Sequence, residues 1–67
     1  MIDLSNFLFK TVILEDTDNN IYKGYVDMYE SSADNDSNED SIGIITDSIS
    51  KTGIELYQSE IKSIKLA

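Results

Sequence analysis

The sequence predicts an all-β domain: five short strands forming one strongly bent small barrel, preceded by a short N-terminal helix. Three observations carry that expectation. Ten of the 67 residues are isoleucine, whose branching at Cβ suits a pleated strand better than a helix. Apolar residues recur in short alternating runs, separated by stretches rich in Asp, Asn, Ser and Gly. A lone glycine, Gly24, interrupts the longest run, as a bulge, a bend or a close backbone approach requires.

In chain order, residues 3–10 place Leu4, Phe7 and Leu8 at helical spacing behind Asp3 or Ser5 as N-cap, which predicts one or two helical turns. Thr11 to Glu15 reads as the first strand, with Val12 and Leu14 on one face and Ile13 on the other. Asp16-Thr17-Asp18-Asn19-Asn20 is a hairpin loop, because Asn tolerates the left-handed backbone such loops need. The second strand runs from Ile21 to Glu30. Strand parity puts Tyr22, Gly24, Val26 and Met28 on one face and Ile21, Lys23, Tyr25, Asp27 and Tyr29 on the other. Gly24 is the expected site of the bend.

Residues 31–41 contain no aliphatic side chain larger than Ala33 and no positive charge, so burial cannot offset their ordering entropy and a mobile acidic loop is expected. Ile42 to Thr46 forms the third strand around Gly43, and a polar connection follows in which Ile49 tucks against the body. Ile54 to Tyr57 and Ile61 to Leu66 form the last two strands, joined by the short turn Gln58-Ser59-Glu60. Ile54, Leu56, Ile61, Ile64 and Leu66 are expected in the core.

Composition narrows the function. Sixty-seven residues make one domain with a thin core. There is no Cys, His or Trp, which removes disulfides, thiolate or imidazole metal sites and histidine-activated nucleophiles. Thirteen acids against five lysines, with no arginine, give a net charge of −8, the opposite of a phosphate-binding field. No apolar run approaches the roughly 20 residues of a spanning helix, and the N-terminus lacks the basic and apolar regions of a signal peptide. The expected location is cytoplasmic, with no membrane contact, no cofactor and no enzymatic activity.

Asp34, Asp36, Asn38 and Asp40 alternate like the first ligands of a calcium loop. Glu39 stands where that loop needs Gly, however, and Ile45 where it needs a bidentate Glu, so a solvated loop is the better reading. Glu15, Asp16, Asp18 and Asp27 are expected to be solvated, without the enclosed pocket that splits carboxyl pKa values for acid–base work. The tyrosines are more informative. Tyr22 reads as core, while Tyr25 and Tyr29 share the other face of the second strand beside the acidic loop. Exposed tyrosines give large contact area at low entropic cost, so Tyr25, Tyr29, Asp34, Asp36 and Asp40 are candidate contacts for a protein partner.

Three segments resemble the Sm-like family. Val12-Ile13-Leu14 through Ile21-Tyr22-Lys23-Gly24-Tyr25-Val26-Asp27 is similar to the first Sm motif, and Ser41-Ile42-Gly43-Ile44-Ile45 sits where the third strand of that family falls. Leu56-Tyr57-Gln58-Ser59-Glu60-Ile61-Lys62-Ser63-Ile64 resembles the second motif, of the bacterial host-factor type. The likeness covers roughly residues 4–66 and points more narrowly to small acidic Sm-like proteins of low-GC Gram-positive bacteria. It implies an SH3-like bent barrel, pairing of strand edges into a dimer or ring, and RNA contact through Tyr57 and Lys62. Where the family carries a basic pair in the last turn, this chain has Gln58-Ser59-Glu60. The combined expectation is a non-enzymatic protein-interaction module whose open sheet edge can also pair with a second copy. The competing expectations are a degenerate Sm-type RNA binder and an acidic mimic of nucleic acid.

Overall fold

The computed structural model describes residues 2–33, 38–47 and 52–67. Five antiparallel strands form one sheet: β1 (Thr11–Asp16), β2 (Ile21–Glu30), β3 (Ser41–Asp47), β4 (Thr52–Tyr57) and β5 (Ile61–Leu66), in the order β4-β3-β2-β1-β5. The expected N-terminal helix is a single 3-10 turn, Leu4–Phe7. Asp3 caps it as anticipated, accepting from the Ser5 amide at 3.1 Å and the Ser5 hydroxyl at 2.6 Å. It stops there because Leu8 is already extended and Phe9 turns left-handed at φ 63°. That reversal lays the next residues beside β2, with the Phe9 amide donating to the Val26 carbonyl at 2.7 Å and the Val26 amide to the Lys10 carbonyl at 3.0 Å.

The hairpin loop forms as its asparagines suggest, with Asn19 at φ 67°. Asp16 organises it. Its carboxylate accepts the amides of Asp18 (2.9 Å) and Asn20 (2.8 Å), the Asn20 side-chain amide (3.1 Å) and the Tyr22 hydroxyl (3.3 Å). The expectation of a solvated acid is therefore corrected, since Asp16 is buried. Burial alone would raise its pKa, but the Asn20 and Asp18 donors and the Tyr22 hydroxyl outweigh it and hold the carboxyl below its ordinary 3.8.

β2 serves two neighbours. It pairs with β1 over residues 21–25 and with β3 over residues 25–30, so the partner changes at Tyr25. Gly24 marks a close approach: a Cβ there would overlap the Ile45 carbonyl oxygen and the Ile44 side chain. The register shift falls three residues later, between Val26 and Met28, and leaves Asp27 as the extra residue. This bulge corrects the expected parity beyond Val26. Met28 now pairs with Gly43, away from the core, and Tyr29 pairs with Ile42 and packs against the core.

The core draws on the N-terminal 3-10 turn and all five strands: Leu4, Val12, Leu14, Val26, Ile42, Ile44, Leu56 and Ile61 are all buried. Each such side chain contributes on the order of 1.5–3 kcal/mol. Ile54 and Ile64 are half-buried at its margin. Leu66 is a correction, being 57% exposed; it lies on the end strand, where only Val12 of β1 flanks it.

The three-residue 3-10 turn Gln58–Glu60 ties remote segments together. The Gln58 amide donates to the Asp40 carbonyl (2.8 Å), its side chain to the Ile2 carbonyl (2.6 Å), and the Ser59 amide to the Glu39 carboxylate (2.8 Å). The Glu60 carbonyl accepts from the Thr17 amide at 3.0 Å.

Candidate interaction surface

Val12 and Leu14 point into the core, so Thr11, Ile13 and Glu15 face outward, and directly opposed residues share that outer face. Two cross-strand rows lie on the β2–β1–β5 half: Ile21–Glu15–Ser63 and Lys23–Ile13–Lys65. A third row, Thr11–Tyr25–Ile45–Gly53, crosses from β1 to β4. Beyond it come Met28–Gly43–Glu55 and Glu30–Ser41–Tyr57. Tyr25 thus stands in the middle of the outer face, where β2 changes partners, and is 42% exposed.

The two halves of this face differ in charge. On one side of Tyr25, Lys23 and Lys65 flank the half-buried Ile13, and Ile21 is 62% exposed. Glu15 lies among them but is paired with Lys62 at 3.6 Å. A shallow depression of about 190 Å³ lies here against Ile13, Ile21 and Ser63. On the other side, Gly43, Ile45, Gly53 and Ile54 line a depression of about 460 Å³, bordered by Asp27, Met28 and Glu55. The carboxylate of Asp27 lies over Gly43, and Glu55 accepts from the buried Ser41 hydroxyl at 3.1 Å.

The residues singled out in the sequence are not brought into one patch. Tyr25 is on the outer face. Tyr29 is turned inward by the bulge, and its hydroxyl donates to Asp40 at 3.1 Å. Burial, followed by the Asp40 carboxylate, raises its pKa above the ordinary 10.0. The other oxygen of Asp40 accepts the Ser32 amide at 2.8 Å, so this acid closes the base of the acidic loop with both oxygens. Asp34 and Asp36 lie outside the described residues, as do Ile49 and Lys51. Asn38, at φ 61°, is exposed. Among the described residues no cluster of three acids is arranged to hold a metal ion.

Tyr57 and Lys62, the residues implied for RNA contact, meet different partners. Tyr57 is ringed by acids: the Glu55 carboxylate, then partial burial, then Glu30, Glu60 and Glu39 push its phenol above 10.0. Lys62 lies along Glu15 and donates to the Asn19 side chain at 3.4 Å. Among the described residues no helix is long and apolar enough to cross a membrane.

Strand parity alone had already put Ile21, Lys23, Tyr25 and Asp27 on one face. The contribution of Ile13, Lys65, Ile45, Gly43, Gly53 and Glu55 depends on cross-strand register, which only the assembled sheet provides. Compared with family models, with curated proteins and with solved structures, the chain has no match.

Proposed function

We propose that this chain is a non-enzymatic protein-interaction module of the cytoplasm, an Sm-like or SH3-like bent barrel that binds its partner through the outer face of the sheet. The observation that carries the reading is Tyr25, exposed at the centre of that face between a lysine-bearing apolar half and a carboxylate-bearing half. An aromatic anchor bordered by charged groups of both signs is the make-up of a protein contact, with the ring supplying area and the charges supplying register. Tyr29 and Asp40 support the fold of the loop rather than the contact, because their polar atoms bind each other. The five-strand order, with a long second strand shared by two neighbours and a tight last turn, supports the bent-barrel reading.

RNA binding through Tyr57 is the competing reading, and the four carboxylates around its ring weigh against it. A photo-crosslinking amino acid at position 25, incorporated in cells that make the protein, separates the two. A discrete protein adduct is expected, absent when the same group is placed at the buried position 14. An RNA adduct, or none, overturns the proposal.

A further inference from the structure

On the β2–β1–β5 half of the outer face, positive charge and exposed apolar surface coincide in a chain of net charge −8. The row Lys23–Ile13–Lys65 crosses three neighbouring strands, with the aliphatic residue in the middle. At the usual strand spacing of about 4.8 Å, the two lysine backbones lie about 10 Å apart. Ile21, 62% exposed, and Tyr25, 42% exposed, stand on β2 two residues to either side of Lys23. A depression of about 190 Å³ opens between Ile13, Ile21, Ser63 and Lys65. Glu15 also lines it, but Lys62 pairs with Glu15 at 3.6 Å. Among the described residues neither Lys23 nor Lys65 has an ion-pair partner.

We infer that the partner of this half is an acidic amphipathic helix of another protein, lying across the strands along the lysine row. The inference rests on the reading of the outer face as a protein contact and names the chemistry of the partner. On a helix, seven residues rise about 10.5 Å and return to the same face, so two acids at that separation meet Lys23 and Lys65 together. An extended segment does not match, because its side chains share a face at about 7 Å or about 13 Å. An aliphatic residue three or four positions from each acid falls between them, over Ile13, and enters the depression towards Ile21. Tyr25, one row along, lies against the flank of the helix. Asp27 and Glu55, beyond Tyr25, repel the same acids and confine the helix to the lysine half. The chain's remaining negative charge is screened beyond about 8 Å at physiological ionic strength, so the lysine row decides the local contact. A second copy does not supply the helix, since the helical segments among the described residues are 3-10 turns of three and four residues. Nucleic acid fits worse, because each further phosphate meets the net negative charge and none uses the isoleucines.

Selection from a random peptide library, displayed on phage and long enough for about four helical turns, tests it with the folded protein as bait. The enriched sequences are expected to carry Asp or Glu seven positions apart with Leu, Ile, Val or Met between them. The double variant Lys23→Glu, Lys65→Glu, shown to be folded by circular dichroism, is expected to enrich Lys or Arg at the same spacing instead. The leading wild-type peptide is expected to bind that variant at least about tenfold more weakly, read by fluorescence anisotropy. Absence of an acidic consensus overturns the inference, and so does a consensus that the charge reversal leaves unchanged. A uridine-rich RNA that binds the wild type and not the double variant overturns it in favour of nucleic acid. A protein adduct from position 25 without an acidic consensus removes the helix and leaves the protein contact standing, whereas an RNA adduct there removes both.

Discussion

Asp16 shows how much of this small fold rests on single polar side chains. Four donors converge on its carboxylate, and no neutral residue of similar size accepts from all of them. Asp16→Asn is expected to lower the urea midpoint clearly, whereas Asp18→Asn, two residues away and exposed, should leave it nearly unchanged. The acid response follows from the same contacts. The folded carboxyl has a pKa below its ordinary 3.8, so its contribution to stability is complete above that value and is lost as pH falls through the folded pKa. Asp16→Asn should therefore flatten the acid limb of the stability profile. Tyr57 runs the other way. Its phenol is held above 10.0 first by Glu55, so Glu55→Gln is expected to shift the phenolate titration of Tyr57 towards lower pH. None of these contacts was legible in the chain, since a hairpin acid reads as solvated until its loop closes over it.

At the scale of elements, β2 decides the architecture, and here the sequence was partly readable. Its limits at Ile21 and Glu30, and the unusual position of Gly24, follow from alternation and from one residue without a side chain. The bulge at Asp27 does not, because an acidic residue in alternating sequence looks like any outward position. That one unread residue moved Met28 outward and Tyr29 inward, and so took away one of the two tyrosines first expected to face a partner. Gly24→Ala is expected to destabilise the fold by about 1–3 kcal/mol, as overpacking against the Ile45 backbone and the Ile44 side chain does, measured as a lower denaturant midpoint. Leu4→Ala is expected to cost about 2–5 kcal/mol, because the 3-10 turn anchors to the sheet through that one buried side chain.

For the molecule as a whole, the net charge of −8 was evident at once, but its arrangement was not. Acids surround Tyr57 and border the larger depression, while Lys23, Lys62 and Lys65 gather on the β2–β1–β5 half. Composition excluded a phosphate-binding field; register then showed that the lysines are nevertheless local neighbours. Self-repulsion of this excess should make the fold more stable as salt is added from about 0.01 M to about 0.15 M, where the screening length falls from roughly 30 Å to roughly 8 Å, and thermal melts at a series of salt concentrations read that rise.

The order of pairing has a bearing on how the chain is made. β1 is hydrogen-bonded on one side to its hairpin partner and on the other to β5, which among the described strands is the one farthest from it along the chain. The Gln58–Glu60 turn, next to β5, gathers contacts to Ile2, Thr17, Glu39 and Asp40. A growing polypeptide emerging from the ribosome therefore carries a half-satisfied β1 until β5 has also emerged. Such non-local closure is slow compared with hairpin formation, so the nascent chain passes through an interval in which an unpaired apolar strand is open to aggregation or to a chaperone.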